Sequence, residues 1–156
     1  MINNIEPYIT NENIYLIANF GVLPLWLMLL IIPNHKLTKI FVQSIVAPFL
    51  LAAAYIFIGY KIYLDGNIFT SFNLYFGLEN LYTIFSDESF LLIFWIHFLS
   101  ISLFVGSWIV RDSSKYFMPK IITFISLVLT YFAGPVGLVF YWIFRIFFSK
   151  KIGFND

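Results

Sequence analysis

The sequence predicts an all-α membrane protein, a helix bundle with four transmembrane helices in a single domain, residues 1–156. Composition and the length of the apolar runs carry this prediction. Hydrophobic residues make up 61% of the 156 residues and charged residues 11%, whereas soluble domains carry about 25% charge. A helix of ~20 apolar residues crosses a hydrocarbon core of ~30 Å. The chain therefore has room for four or five spans and for no separate soluble domain, and we predict four.

Four apolar runs give the predicted spans, which are residues 14–32, 40–60, 90–110 and 121–141. Pro24 is expected to kink the first span, since proline removes a backbone donor. The last run continues to Phe148 and is longer than the bilayer is thick. Its excess length implies a tilt, a break at Gly134-Pro135 or a final interfacial turn.

Residues 68–85, between the second and third spans, form a mixed segment in which aromatic residues alternate with polar ones. Aromatic side chains suit the membrane interface, whereas the Glu79 carboxylate weighs against a fifth span. We therefore predict an amphipathic segment that is interfacial or re-entrant. Glu79 would approach a site in the bundle if the segment re-enters, but an acid at the water interface is the simpler interpretation.

Charge and composition exclude several classes of function. The net charge of +1 comes from scattered acids and bases, and no basic run could follow a nucleic-acid backbone. The chain has no cysteine, which rules out disulfides and thiolate metal sites. Because no metal-binding motif is present either, we predict neither a metal nor a cofactor.

With four spans, the basic residues divide almost evenly between the two sides of the membrane. One side carries Lys36, Lys39, Arg111, Lys115 and Lys120, and the other carries Lys61, Arg145, Lys150 and Lys151. No base precedes the first span, whereas Lys36 and Lys39 follow it. Because basic residues favour the inner side, the N-terminus is expected outside.

The third predicted span carries one ionisable residue, His97. On a helix of 3.6 residues per turn, His97 shares a stripe with Ser100, Phe104, Trp108 and Arg111. An imidazole exchanges protons near neutral pH, so His97 is a candidate general acid or base. The alternative is a hydrogen bond to a neighbouring helix, which is a common role for a polar residue inside a membrane.

Two further polar positions need partners. Asn19 shares a face of the first span with Trp26, and His97 is a candidate partner for its amide. Arg111 and Asp112 lie at the membrane boundary, where Asp112 can pair with Arg111 or with another base. A solvated, exposed Arg111–Asp112 pair is the simpler interpretation.

The fourth span has its own polar stripe, formed by Tyr131, Gly134, Tyr141 and Arg145. Pro135 frees the carbonyl of Tyr131, which could bind a polar atom inside the membrane, but a simple packing kink is the favoured interpretation. The small residues Gly134 and Gly137 offer a surface for close helix packing, and a homodimer would bury it.

Long strings in the chain resemble a known family. They are ANFGVLPLWLMLLIIP from Ala18, FGLENLYTIFSDESFLLIFWIHFLSISLFVGSWIVRD from Phe76, and TYFAGPVGLVFYWIFR ending at Arg145. They resemble the small membrane proteins related to the plant abscisic-acid-deficient protein that is required for neoxanthin formation. The motif W-x-H, followed by F-V-G-x-W-I-x-R-D and then G-P-x-G-L-x-x-Y, carries most of the similarity.

The resemblance implies a non-redox isomerisation, in which an epoxide end group of a xanthophyll opens to an allene without a cofactor. With the stripes above, it points to His97, Asp112 and Glu79 as catalytic residues. The expected ligand contacts are Asn19, Trp26, Ser100, Phe104, Trp108, Arg111, Tyr131, Tyr141 and Arg145. The expected structural positions are Pro24, Gly106, Gly134, Pro135 and Gly137. One departure is that Ser102 stands where the family's third span carries an acid.

A second interpretation needs no catalysis. The chain would then be a membrane module that binds a carotenoid or a lipid, or that holds a pigment-biosynthesis enzyme in place. In either case the expected partners are membrane lipid and a polyene. The expected location is the plasma or inner membrane of a bacterium, or a plastid membrane of a plant-like source.

Overall fold

The computed structural model of the chain describes residues 10–44, 46–65, 70–150 and 153. Every regular element in these ranges is helical, so the predicted all-α class is confirmed. The α-helices are α1 (Asn11–Ile31), α2 (Lys36–Phe41), α3 (Val46–Leu64), α4 (Leu78–Phe85), α5 (Glu88–Lys115), α6 (Lys120–Ala133) and α7 (Pro135–Ser149), and a 3-10 helix covers Thr70–Phe76.

Three stretches are long and apolar enough to cross a membrane, judged by length and composition. They are Asn11–Ile31, Lys36–Leu64 and Glu88–Lys115. Large apolar side chains on them point outward, including Ile31, which is 73% exposed, and Phe20, which is 68% exposed. Exposed apolar area of this extent is a liability in water but not in lipid. The helices are those of a membrane protein.

The chain clusters into two compact units. The first comprises Met1–Gly21 and Phe49–Leu99, and the second comprises Val22–Pro48 and Ser100–Asp156. Each has its own apolar core. In the first unit the core includes Ala18, Leu51, Ile58, Ile62, Phe90 and Ile96, and in the second it includes Val22, Trp26, Leu29, Leu103, Ile109, Leu127 and Tyr141.

The turn after α1 is held by side chains. The Thr38 hydroxyl donates to the carbonyl of Ile32 at 2.7 Å, and the Gln43 amide donates to the carbonyl of Pro33 at 2.8 Å. The Nδ1 atom of His35 accepts from the backbone N–H of Leu37 and caps α2. These bonds satisfy backbone groups that the end of a helix leaves unpaired.

The predicted fourth span is not one continuous helix. It breaks at Gly134, whose φ of 38° is accessible to glycine, and Pro135 then starts α7. The chain folds back, because Gly137 of α7 packs directly against Ser126 and Thr130 of α6. At ~1.5 Å per residue the two helices are ~21 and ~22 Å long, shorter than a ~30 Å core. A tilt, a break at Gly134-Pro135 and a final interfacial turn were the expected alternatives for this run, and the structure has the break.

The segment predicted at 68–85 is also divided. Residues 66–69 lie outside the described residues, and the rest forms the 3-10 helix and α4, separated by Gly77 with a φ of 139°. Ile84 of α4 is buried, whereas Leu78 and Tyr82 are 81% and 75% exposed. With 8 residues, α4 is too short to cross a membrane.

Candidate functional site

A buried charged cluster in the second unit joins α5 to α7. The Nε atom of Arg145 lies 2.7 Å from Oδ2 of Asp112, and the Tyr141 hydroxyl donates to the same oxygen at 2.7 Å. Nη2 of Arg145 donates to Oδ1 of Asp112 at 3.3 Å. Arg145 and Tyr141 are fully buried, and Asp112 is 8% exposed. Both carboxylate oxygens therefore have partners.

The guanidinium of Arg145 is also enclosed by aromatic rings. It lies 4.9 Å from the ring centre of Tyr116 and 5.0 Å from that of Trp142. Nη1 donates to the carbonyl of Gly153 at 3.1 Å. A planar, always charged guanidinium suits this combination of forked hydrogen bonds and stacking. The hydrogen bonds and the ion pair of this cluster attach α7 to α5.

This cluster corrects one sequence-based interpretation. Asp112 does not form an exposed pair with Arg111, because its partner is Arg145. Successive residues of a helix point ~100° apart, so Arg111 is exposed while Asp112 faces the core. Tyr141 and Arg145, four residues apart on α7, were recognisable as one polar face, but their partner depends on the fold-back at Gly134.

The first unit contains a separate cavity of about 470 Å³ around His97, within the ~300–1,000 Å³ typical of ligand sites. Its lining residues are Tyr55, Gly59 and Ile62 of α3, Leu74 and Tyr75 of the 3-10 helix, and Phe90, Ile93, Phe94 and His97 of α5. The rings of His97 and Tyr55 are 6.1 Å apart and inclined at 51°. The cavity combines aromatic walls with an imidazole and two phenols.

The comparison with family models decides the relationship. The model described as ABA DEFICIENT 4-like matches residues 13–141. The chain belongs to the ABA DEFICIENT 4-like family. No curated protein and no solved structure matched the chain.

The family match confirms the resemblance and covers the predicted catalytic positions, although Arg145 lies just beyond it. His97 is exposed and faces the cavity of the first unit, and Asp112 lies in the buried cluster of the second. Glu79 is exposed on α4 and does not line the His97 cavity. Ser102, where the resemblance led us to expect an acid, is 4% exposed.

Asn19 does not bond to His97. Its Oδ1 atom accepts from Nε1 of Trp95 at 3.0 Å, and its Nδ2 atom donates to the carbonyl of Tyr15 at 3.0 Å. Trp95 precedes His97 by two residues and lies ~200° from it around α5. Asn19 therefore contacts the face of α5 that carries Trp95, whereas the face that carries His97 borders the cavity.

The remaining stripe residues of α5 occupy other surroundings. Phe104 and Arg111 are exposed and border a smaller cavity of about 230 Å³ in the second unit. Trp108 is half-buried and meets the ring of Tyr141 edge-on at 5.5 Å, and Ser100 is half-buried too. The stripe residues all lie on α5, but among them only His97 borders the aromatic cavity.

The predicted structural glycine Gly106 has a clear reason. A Cβ atom there would lie 2.7 Å from the ring of Trp26. Trp26 is 3% exposed and packs edge-on against Tyr131, with the ring centres 5.4 Å apart. Trp26 and Tyr131 therefore pack against each other in the second unit. Pro24 lies within α1, which continues through it.

One cluster was missed in the sequence. The Asn11 amide donates to the Ser89 hydroxyl at 3.0 Å, and Nζ of Lys61 donates to Oδ1 of Asn11 at 3.2 Å. These bonds join the start of α1, the end of α3 and the start of α5. Each residue alone is a common polar residue at a helix end, so no local pattern marked them. In the described part of the chain, no three His, Asp or Glu side chains are grouped so that they could hold a metal ion.

Proposed function

We propose that the chain is a membrane isomerase that binds a xanthophyll end group in the His97 cavity and opens its epoxide to an allene. The observation that carries this proposal is the aromatic cavity around a titratable histidine, all of whose lining residues fall within the family match. Aromatic and apolar walls suit a conjugated hydrocarbon, and the few polar groups would orient its oxygen.

The reaction requires one proton to move from carbon to oxygen. A base removes the proton from the polyene carbon beside the ring, the electron pair forms the second double bond of the allene, and the epoxide C–O bond breaks. The released oxygen takes up a proton, so the product has the same formula as the substrate. His97 is suited to be the base and the Tyr55 phenol to be the acid.

The two carboxylates expected at the site have other roles in this proposal. Asp112 is held by Arg145 and Tyr141, and releasing it would break a buried ion pair, which is costly. It stabilises the attachment of α7 and does not meet the substrate. Glu79 is exposed outside the cavity and is not needed for the proton transfer.

The change His97→Gln is expected to reduce allenic product by about 10²–10⁴-fold, the usual contribution of a general acid or base. The test is expression in a host that accumulates an epoxy-xanthophyll, with pigments separated by chromatography and identified by absorption spectra. Leu91→Ala is the matched control, because Leu91 lies on α5, is 51% exposed and does not line the cavity.

A second candidate function is non-catalytic binding of a carotenoid or lipid in the same cavity. The polar side chains that line the cavity favour this function. None of the described lining residues is a carboxylate that could assist a proton transfer, whereas binding needs none. If the unchanged chain retains pigment but makes no allene, this second function is correct. If His97→Gln makes as much allene as Leu91→Ala does, the catalytic role of His97 is wrong.

We also propose a membrane arrangement of three spans followed by a re-entrant hairpin, α6 and α7, that does not cross. The end of α7 returns to the end of α5, where Arg145 meets Asp112. The described bases at this end are Lys36, Lys39, Arg111, Lys115, Lys120, Arg145 and Lys150. Lys61, in contrast, lies at the end of α3, beside the start of α1. The nearly even division expected for four spans thereby becomes a strong asymmetry, which favours this end on the cytoplasmic side.

Single cysteines can test this arrangement, since the chain has none of its own. In intact cells, an impermeant maleimide is expected to label Asp65→Cys but not Ser44→Cys or Lys150→Cys, which should react after permeabilisation. All three positions are exposed. Labelling of Lys150→Cys and Asp65→Cys from the same side would mean that α6 and α7 together cross the membrane.

A further inference from the structure

The second unit contains a cavity of about 660 Å³ that the proposed function does not use. We call it the α1–α6 cavity, because it lies among the end of α1, the end of α5 and the first half of α6. Its apolar lining residues include Leu30, Val110, Phe124 and Leu127. Its polar lining residues include Asn34, His35 and Lys120. The cavity is thus amphiphilic.

The polar lining residues of the cavity supply several hydrogen-bond donors. Nδ1 of His35 accepts from the backbone of Leu37 at 3.2 Å, so in the neutral ring the proton is on Nε2. The Ser114 hydroxyl donates to the carbonyl of Val110 at 2.9 Å and lies 3.4 Å from Oδ1 of Asn34. The Asn34 amide nitrogen is a donor. Lys120 adds a cation. None of the described lining residues is an acid, so the polar lining matches an anion with several acceptor oxygens.

The surrounding charge has the same sign. Lys36 and Lys39 follow the α1 turn, and Lys115 ends α5, all three exposed. The neighbouring carboxylate of Asp112 is buried against Arg145 and is already compensated. A cluster of bases at the end of apolar helices attracts the anionic lipids of a membrane surface.

The apolar part of the cavity continues into the lipid-facing surface. Ile31 lines the cavity and is 73% exposed, and Phe124 lines it and is 49% exposed. A ligand held by its anionic group at Lys120 would therefore have an apolar path for a hydrocarbon chain. A small anion would use the donors but would leave these walls empty.

We propose that the α1–α6 cavity binds an anionic phospholipid, with its phosphate at Lys120 and His35 and an acyl chain along Leu30 and Phe124. The geometry of the second unit supports this site, and it does not depend on the proposed isomerase. The charge pattern also agrees with a cytoplasmic location for this end of the helices.

The experiment measures lipid binding to the full chain in detergent by native mass spectrometry. Phosphatidylglycerol is compared with phosphatidylcholine of the same acyl chains. Lys120→Gln is expected to weaken phosphatidylglycerol binding by about tenfold, the equivalent of one charge-assisted hydrogen bond. Lys39→Gln removes an equal charge at the same end but outside the lining, and is expected to change binding by less than about twofold.

A second variant tests the apolar part without changing charge. Thr123 lines the cavity, and Thr123→Phe is expected to block the acyl chain while the helical circular dichroism stays the same. Equal losses in Lys120→Gln and Lys39→Gln would indicate diffuse attraction and overturn the site. Equal binding of the two lipids would overturn headgroup recognition. Competition by millimolar inorganic phosphate, with Thr123→Phe unaffected, would identify a small-anion site instead.

Discussion

Replacing Arg145 with alanine is expected to lower the free energy of unfolding by about 3–5 kcal/mol, since removing one partner of a buried ion pair leaves an uncompensated charge. The Asp112 carboxylate would keep the Tyr141 hydroxyl as a donor but lose both contacts from the guanidinium. The rings of Tyr116 and Trp142 would also lose the group between them. Thermal unfolding of the purified protein in detergent, followed by circular dichroism, measures the change.

Arg111→Ala is the matched control for this prediction. Arg111 adjoins Asp112 in the chain, carries the same charge as Arg145 and is exposed, so its loss should cost no more than about 0.5 kcal/mol. The double change Asp112→Leu with Arg145→Met should recover much of the stability, because an apolar pair leaves no buried charge. Equal destabilisation by Arg145→Ala and Arg111→Ala would contradict the role assigned to the cluster.

The sequence predicted the long helices well because hydropathy is a local property. The span expected at 14–32 is α1, Asn11–Ile31, and the span expected at 90–110 lies inside α5, Glu88–Lys115. Apolar runs locate the part of a helix that suits lipid, whereas caps decide where the helix starts. Asp87 starts α5 by accepting from the backbone N–H groups of Ser89 and Phe90.

The fold-back at Gly134 could not be read in the same way. An apolar run with an internal Gly-Pro fits a bent span as well as a hairpin, since both keep the 3.6-residue pattern on each side of the break. The difference depends on contact between Gly137 and Thr130, which no local pattern encodes. The pairing of Asp112 with Arg145 depends on the hairpin, so it could not be predicted from the sequence either.

The His97 site was predicted in part. An ionisable residue in an apolar run identified the histidine, and helical periodicity placed it on a face with Ser100 and Phe104. Tyr55 and Tyr75 come from distant parts of the chain, and neither was expected beside His97. Aromatic residues are so common here, at 22% of the chain, that composition could not single these two out.

Gly137→Ala is expected to disrupt the α6–α7 hairpin and to destabilise the protein by about 3 kcal/mol, at the upper end of the cost of overpacking. The added Cβ would overlap the backbone nitrogen of Thr130 and lie 2.6 Å from the carbonyl oxygen of Ser126. Backbone atoms cannot rotate away as a side chain can, so α7 itself must move. That movement would also pull Arg145 away from Asp112, so the added methyl group would weaken the buried ion pair as well.

Gly21→Ala separates this steric effect from the general effect of adding a methyl group to a helix. Gly21 lies within α1, and apart from its chain neighbours and its own helix backbone no atom lies within 4 Å of its would-be Cβ, so alanine should stabilise the helix by about 0.5–1 kcal/mol. Gly106→Ala should fall between the two, because the two closest atoms that the new methyl group meets belong to the Trp26 side chain. Melting temperatures in the order Gly21→Ala, Gly106→Ala, Gly137→Ala, from highest to lowest, are the expected result. A melting temperature for Gly137→Ala equal to that of Gly21→Ala would mean that α6 and α7 do not pack as a hairpin, and the re-entrant arrangement would fall with it.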